Sequence, residues 1–89
     1  MNDALDGNAA AGTLAEVFVS DVTVAVTTCA TCGASRPLAE LRAYFQAPGM
    51  VLRCPGCGGV QVRLVRAGAR AWLDLRGVQV IELALQEST

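Results

Sequence analysis

Two copies of the motif Cys-x-x-Cys-Gly constrain this chain more than any other feature of its sequence. The first copy holds Cys29 and Cys32, the second holds Cys54 and Cys57, and residues 33–53 separate them. Two intervening residues let both sulfurs of a pair lie on one side of a tight turn, and the following glycine suits a left-handed backbone. Two such turns facing each other supply four thiolates at tetrahedral corners, the ligand set best suited to zinc. The spacing therefore predicts one zinc ion bound by the four cysteines.

The predicted role of this zinc ion is structural. The chain has no histidine, so these cysteines form the only tetrahedral site that it can build from cysteine and histidine. Protein ligands fill every position, whereas a catalytic zinc keeps one position open. Disulfides would need an oxidising compartment, and a thioredoxin-like dithiol would need one motif at a helix start in an alternating strand–helix chain. The duplicated motif disfavours both alternatives, while iron in an all-cysteine site resembling rubredoxin stays open.

The length of the chain and the composition of its first residues indicate what kind of domain it forms and in which compartment we expect it. With 89 residues it is a single small domain, of the size that commonly needs a metal or another staple. The first six residues carry two acids and no base, which is unlike a secretory signal, so we expect a cytoplasmic protein with reduced thiols. No apolar run approaches the ~20 residues of a membrane span, so we expect no membrane association.

Start signals and apolar spacing predict a helix within about residues 9–19. Thr13 and Glu16 have the spacing of a capping box, with threonine at the cap and glutamate three residues later. Leu14, Val17 and Phe18 then fall on one helical face. We predict that residues 1–21 form an N-terminal extension with this short helix and that residues 22–89 form a zinc-ribbon domain.

Alternating apolar residues predict strands over most of the remaining chain. In residues 22–27 the valines alternate with threonine and alanine, which predicts a half-buried strand that leads into the first cysteine turn. Residues 38–45 suit a helix or a strand, and we favour a strand. Further strands are predicted at 50–53, at 60–66 with Gln61 outward, and at 70–76 with Ala71 inward, whereas 78–85 suits a strand or a short helix. The predicted fold is small and mainly β, a zinc ribbon of antiparallel strands with a short N-terminal helix.

Catalysis is not expected of this chain. It contains no histidine, no lysine and no cysteine beyond the two pairs, so a general base active near neutral pH is missing. No glycine-rich phosphate loop follows a predicted strand, and the serines lie in no nucleophile motif. We predict a protein that is not an enzyme and that takes no small-molecule substrate.

Basic and aromatic residues from Arg53 onward are candidates for contact with a partner. Arginine suits phosphate because its planar fork binds two oxygens at once, and an exposed tryptophan can stack on a base. The alternatives are a solvated basic face and a tryptophan that covers a second small core, and for tryptophan the core interpretation is favoured. Tyr44 and Phe45 are also expected in the core. The candidate contact residues are Arg53, Arg63, Arg66, Arg70, Trp72 and Arg76.

The order of these features resembles known proteins at two levels. Two Cys-x-x-Cys-Gly turns on antiparallel strands resemble a zinc ribbon over residues 22–76. More narrowly, nearly the whole chain is similar to short actinobacterial proteins in a family of unassigned function. The resemblance implies a ribbon with an N-terminal extension and brings no activity with it. The residues that carry it are Leu5-Asp6-Gly7-Asn8, Leu14-Ala15-Glu16-Val17-Phe18, the two cysteine pairs and Trp72-Leu73-Asp74-Leu75-Arg76-Gly77.

These observations favour a protein-interaction module that docks on a partner protein or on itself. The apolar content of 53% exceeds what so small a core can bury. Nucleic-acid binding through the arginines is the alternative, and it would weaken steeply with salt. A redox- or zinc-responsive switch, in which thiol oxidation ejects the metal, is a third and weaker hypothesis.

Overall fold

The structure, a computed structural model, describes residues 5–15 and 22–83, which form two antiparallel sheets. The predicted fold class, small and mainly β with antiparallel strands and one short N-terminal helix, is confirmed. The five-stranded sheet has the order β1-β4-β5-β6-β7, and the three-stranded sheet has the order β3-β2-β8. In chain order the strands are β1 (Leu5–Asp6), β2 (Val26–Cys29), β3 (Ser35–Pro37), β4 (Arg42–Gln46), β5 (Gly49–Arg53), β6 (Val60–Ala67), β7 (Arg70–Asp74) and β8 (Val78–Glu82).

Strands β4 to β7 form an antiparallel meander, and its inner face is apolar. Met50 and Leu52 of β5 pair across the sheet with Leu64 and Val62 of β6, and all four are buried. The strands predicted at 50–53 and 60–66 are confirmed, as are the inward positions of Val62 and Leu64. The β6–β7 connection is a two-residue loop that begins with Gly68 at φ 60°, the position where such a hairpin needs glycine.

The N-terminal segment packs against this inner face. A 3₁₀ helix (Gly7–Ala10) leads into α1 (Ala11–Ala15), and the buried side chains of Ala10 and Leu14 join the core. The predicted capping box is wrong, because Thr13 lies inside α1 rather than at its start. The predicted continuation through residues 16–19 lies outside the described residues.

One hydrophobic core serves the described chain. It combines the N-terminal segment, the link before β4 and the inner faces of β4, β5 and β6, with side chains from β7 onward packed at its margin. The buried members are Ala10, Leu14, Leu38, Leu41, Ala43, Met50, Leu52, Val62 and Leu64. Residues 5–15 therefore contribute to the same core as the sheet, while a domain boundary between residues 21 and 22 stays a prediction.

The strand predicted over residues 22–27 is confirmed only for its last two residues. Val22–Val24 forms a 3₁₀ turn, and the strand begins only at Val26. The buried residues here are Thr23, Ala25 and Thr27, while Val24 is 68% exposed. Cys29 has to face inward, and the two-residue period of a strand places Thr27 on the same side. The position of the cysteine therefore overrides the slight difference in hydrophobicity between valine and threonine.

Three other strand predictions need adjustment. Residues 38–40 form a 3₁₀ helix instead of a strand, because Leu38 and Leu41 are both buried at a spacing of three residues. Gln61 points into the protein rather than outward, and Ala71 is exposed rather than buried. The alternatives for residues 78–85 resolve to strand β8 as far as Glu82.

Across residues 5–15 and 22–83, no helix is long and apolar enough to cross a membrane.

Candidate functional site

The two cysteine turns have the same backbone geometry. In the first, the Cys29 amide donates to Ala34 O at 2.9 Å, and the Gly33 amide donates to Cys29 O at 2.9 Å. In the second, the Cys54 amide donates to Gly59 O at 2.9 Å, and the Gly58 amide donates to Cys54 O at 2.8 Å. The glycines that follow the second cysteines have φ values of 79° and 78°, which explains why glycine stands at both positions.

The two turns bring the four sulfurs together. Each turn closes the end of an antiparallel hairpin, β2–β3 for the first and β5–β6 for the second. The Sγ atoms of Cys29 and Cys57 are 3.7 Å apart, as are those of Cys32 and Cys54, and all four sulfurs lie within 4.8 Å of one another. None of the four cysteines is in a disulfide, whose sulfurs would be about 2.05 Å apart. The arrangement can hold a metal ion between two hairpins.

Backbone amides of the turns stabilise thiolate charge on the first cysteine of each pair. The Cys57 amide, followed by the Gly56 amide, donates towards the sulfur of Cys54 and lowers its pKa to about 6 despite burial. The corresponding amides of the first turn lower the pKa of Cys29. Each turn therefore presents a buried sulfur that readily ionises.

The same cluster opposes ionisation of the Cys57 sulfur. The Gly59 amide, 3.4 Å from the Cys57 sulfur, lowers the pKa of that thiol, but desolvation and the three neighbouring sulfurs together raise it to about 11. Four thiolates so close together repel one another unless a cation lies between them. The chemistry of the donor set therefore fits a divalent metal ion.

Two arginines and a glycine support the second turn, and sequence analysis missed these contacts. Arg53 Nη1 donates to Gly58 O at 2.8 Å, so this guanidinium contacts the turn directly. Arg36 Nη2 lies close to Gly56, 3.3 Å from where a Cβ atom would stand. A Cβ on Gly59 would lie 3.2 Å from the Thr31 hydroxyl of the first turn, so the two turns pack tightly. No sequence signal pairs these residues, because each contact depends on the arrangement of the two hairpins.

Gly77 links the connection between β7 and β8 to the first cysteine turn. Its carbonyl accepts a 2.9 Å hydrogen bond from the amide of Ala30, in the first cysteine turn. Its Cα passes so close to β6 that a Cβ atom would lie 1.8 Å from Val60 O and 2.7 Å from Gln61 Cα. This close approach explains a glycine between β7 and β8.

The predicted contact residues do not form one continuous stripe. Cross-strand pairing places the side chains of Arg53, Arg63 and Arg70 on the face of the five-stranded sheet opposite the core, here called the outer face. Arg66 has the parity of Leu64 and belongs to the inner side, where it lines a groove with Phe45 and Met50. A contact role for these arginines stays a prediction.

Arg76 is engaged in an ion pair with Asp74. Its Nη2 lies 2.7 Å from Asp74 Oδ2, and its Nε donates to both carboxylate oxygens at 3.1 Å. This side-chain hydrogen bonding lowers the pKa of Asp74 to about 2. Asp74 is therefore ionised at neutral pH, with its charge compensated by its neighbour.

The core interpretation of the aromatic residues is wrong for two of them. Trp72 pairs with Val65 on the outer face and is 55% exposed, and Phe45 is also exposed. Tyr44 is half-buried on the outer face, with Arg53 Cζ 6.0 Å from its ring centroid. The inner face is already filled by leucine, methionine and valine, which leaves the aromatic rings at the surface.

Comparison with known proteins gives one match. No curated protein and no solved structure matches the chain. A family model matches residues 1–86, and its description is a family of unknown function, DUF6510. The match covers both cysteine turns, the N-terminal segment and strands β1 to β8. The chain belongs to this family, DUF6510.

Proposed function

We propose that the protein is a zinc ribbon in which one zinc ion has a purely structural role, and that it is not an enzyme. The supporting observation is the sulfur spacing. A tetrahedral zinc with Zn–S bonds of about 2.3 Å separates its sulfurs by about 3.8 Å, and the cross-turn pairs are 3.7 Å apart. With four protein ligands, no position remains for water or substrate.

Metal analysis of protein purified from the native cell tests this proposal. Elemental analysis is expected to find one zinc per chain, and replacing Cys54 with serine is expected to abolish it. A coloured protein that contains iron in place of zinc would contradict the choice of metal. A bound metal with an exchangeable water ligand would contradict the structural role.

We propose that this ribbon serves as a protein-interaction module and that β8 is its contact element. In the described part of the chain, β8 lies at the edge of the three-stranded sheet. Proteins usually protect such an edge with lysine, proline or a bulge. Here the strand carries Val80, which is 54% exposed, and is followed by the exposed Leu83. An edge strand with apolar side chains is suited to pair with an extended strand of another protein or of a second copy.

Two matched substitutions test the contact element. Val80→Lys places a charge on β8, whereas Val24→Lys changes another exposed valine, which lies in a 3₁₀ turn. Sedimentation velocity and affinity capture from the native cell are expected to show association for the wild type and for Val24→Lys, and its loss for Val80→Lys. A wild-type protein that stays monomeric and captures no protein would contradict the proposal.

A further inference from the structure

The outer face of the five-stranded sheet presents one large exposed ring within a basic surface. Among the large hydrophobic residues that are exposed in the described part of the chain, only Trp72 lies on this face. Its cross-strand neighbour Val65 is half-buried and leaves the ring accessible. Arg70 lies on the same side of β7 as Trp72, two residues or about 7 Å along the strand. Arg63 is a diagonal neighbour of Trp72 on β6, the adjacent strand, which lies about 4.8 Å from β7.

The charges on this face favour an anion. Arg42, Arg63 and Arg70 are exposed, and within residues 5–15 and 22–83 none of them forms an ion pair. Two carboxylates are their cross-strand neighbours, Asp6 opposite Arg42 and Asp74 opposite Arg63. The acidic residue nearest to Trp72 on this face, Asp74, is compensated by Arg76. The whole chain has a net charge of −1, so this basic surface contrasts with the rest of the molecule. Such a local field attracts a polyanion despite the overall acidity.

We propose that the outer face binds single-stranded nucleic acid, with a base stacked on Trp72 and phosphates held by Arg63 and Arg70. This surface is distinct from β8, so the inference goes beyond the protein contact proposed above. Arginine contacts phosphate through two parallel hydrogen bonds, and an indole stacks on any base. Arg53 has a different role, since its guanidinium is already bonded to the second cysteine turn.

Two features favour single-stranded nucleic acid over other polyanions. A protein hot spot packs its tryptophan among further apolar residues that exclude water, whereas Trp72 is flanked along β7 by Arg70 and Asp74. A duplex keeps the faces of its bases stacked inside, so an exposed indole has little to contact there, whereas single strands offer unstacked bases. An acidic protein segment and a duplex are therefore the competing ligands that the experiment has to separate.

Binding of labelled oligonucleotides to the zinc-loaded full chain tests this inference. Fluorescence anisotropy with oligothymidylate and oligouridylate of about 8 nucleotides separates DNA from RNA. The fluorescence of Trp72, the only tryptophan, is expected to fall on binding. Loss of one stacked base in Trp72→Ala is expected to weaken binding roughly 5- to 150-fold, and Trp72→Phe is expected to keep most of the affinity. Removing Arg63 or Arg70 should lower the slope of log affinity against log salt by about 0.7 per phosphate contact.

Arg66→Ala is the matched control, because it removes the same charge from the other side of the sheet. This variant is expected to bind as the wild type does. Absence of binding at low salt, or equal weakening in Arg66→Ala and Arg70→Ala, would overturn the proposal. If a duplex binds as tightly as the single strand, the proposal would be overturned in favour of a duplex ligand. If polyglutamate competes as effectively as a single strand, it would be overturned in favour of an acidic protein segment. Circular dichroism and zinc content verify that each variant is folded. Quenching of tryptophan fluorescence is measured in the wild type, so it tests the proposal even if a variant does not fold.

Discussion

Gln61 is a polar residue with an unfavourable buried environment. Its side chain is 1% exposed, and both amide atoms are buried without a hydrogen-bond partner in residues 5–15 and 22–83. It occupies the irregular position in β6 where the register shifts opposite Leu52 and Arg53. An amide that gives up water without a replacement bond costs about 1–3 kcal/mol. At this bulge, the strand therefore buries a polar residue that simple alternation assigns to the surface.

Replacing this glutamine with leucine is expected to stabilise the protein. Gln61→Leu keeps most of the volume and removes the unpaired amide, so the free energy of unfolding should rise by about 1–3 kcal/mol. Denaturant unfolding of the zinc-loaded protein measures the change. Gln79→Leu on exposed β8 is the control, with an expected change within about 0.5 kcal/mol. A less stable Gln61→Leu would mean that the buried amide has a partner that it needs, such as a trapped water molecule.

The contact of Arg53 with the second cysteine turn predicts an effect on metal affinity. Its guanidinium holds Gly58 O, beside the ligand Cys57, and residues that orient metal ligands typically change affinity by about 10- to 100-fold. We expect Arg53→Ala to weaken zinc binding about tenfold in competition with a chromophoric chelator. Arg63→Ala, on the same face without a contact to the turn, should leave zinc affinity unchanged. Equal loss in both variants would indicate a general charge effect.

At the scale of elements, the sequence predicted strands better than the faces that they bury. Residues 60–66 combine large apolar residues with charged ones, so their strand and most of its inward face followed from alternation. Residues 22–27 contain only valine, threonine and alanine before the first cysteine, and these differ too little to assign a face. The inward direction was set there by Cys29, through a metal site that brings together residues distant in sequence. Trp72 was misplaced for a related reason, since its face depends on which side of the sheet the N-terminal segment covers.

The connection between β7 and β8 depends on the glycine that lets it pass against β6. Gly77→Ala would place a Cβ atom 1.8 Å from Val60 O, a backbone atom that cannot move independently of the strand. We expect a loss of about 3 kcal/mol in the free energy of unfolding, the upper end of the usual cost of overpacking. Denaturant titration measures it, and weaker protection of the Ala30 amide from hydrogen exchange would localise it.

Gly12→Ala tests the opposite expectation in the same assay. Gly12 lies in α1 with nothing within 4 Å of an added Cβ atom. Alanine is the better helix former by about 0.5–1 kcal/mol, so this variant should be more stable than the wild type. Equal effects of the two glycine substitutions would show that the close approach at Gly77 relaxes without cost.

At the scale of the whole molecule, the four-cysteine cluster joins the two sheets. The three-stranded sheet contributes Cys29 and the five-stranded sheet leads into Cys54, while most of the buried core belongs to the larger sheet. The cysteine spacing was enough to predict this site because both turns repeat one local geometry. The arginines around it were not predictable, since they reach the turns only after the hairpins are in place. If the proposed zinc ion is structural, we therefore expect the smaller sheet to depend on it most.

Metal removal should therefore unfold the protein in a graded way. We expect a chelator at neutral pH to abolish the protection of β2, β3 and β8 amides from hydrogen exchange, and to lower the melting temperature of the remaining sheet. Zinc should restore both, because binding to the folded state alone adds its free energy to folding. Lowering the pH should act in the same direction, since protons compete with zinc for the thiolates. Cys54→Ser should resemble the chelated protein whether or not zinc is added. An unchanged melting temperature after complete removal of the metal would contradict a structural role for the site.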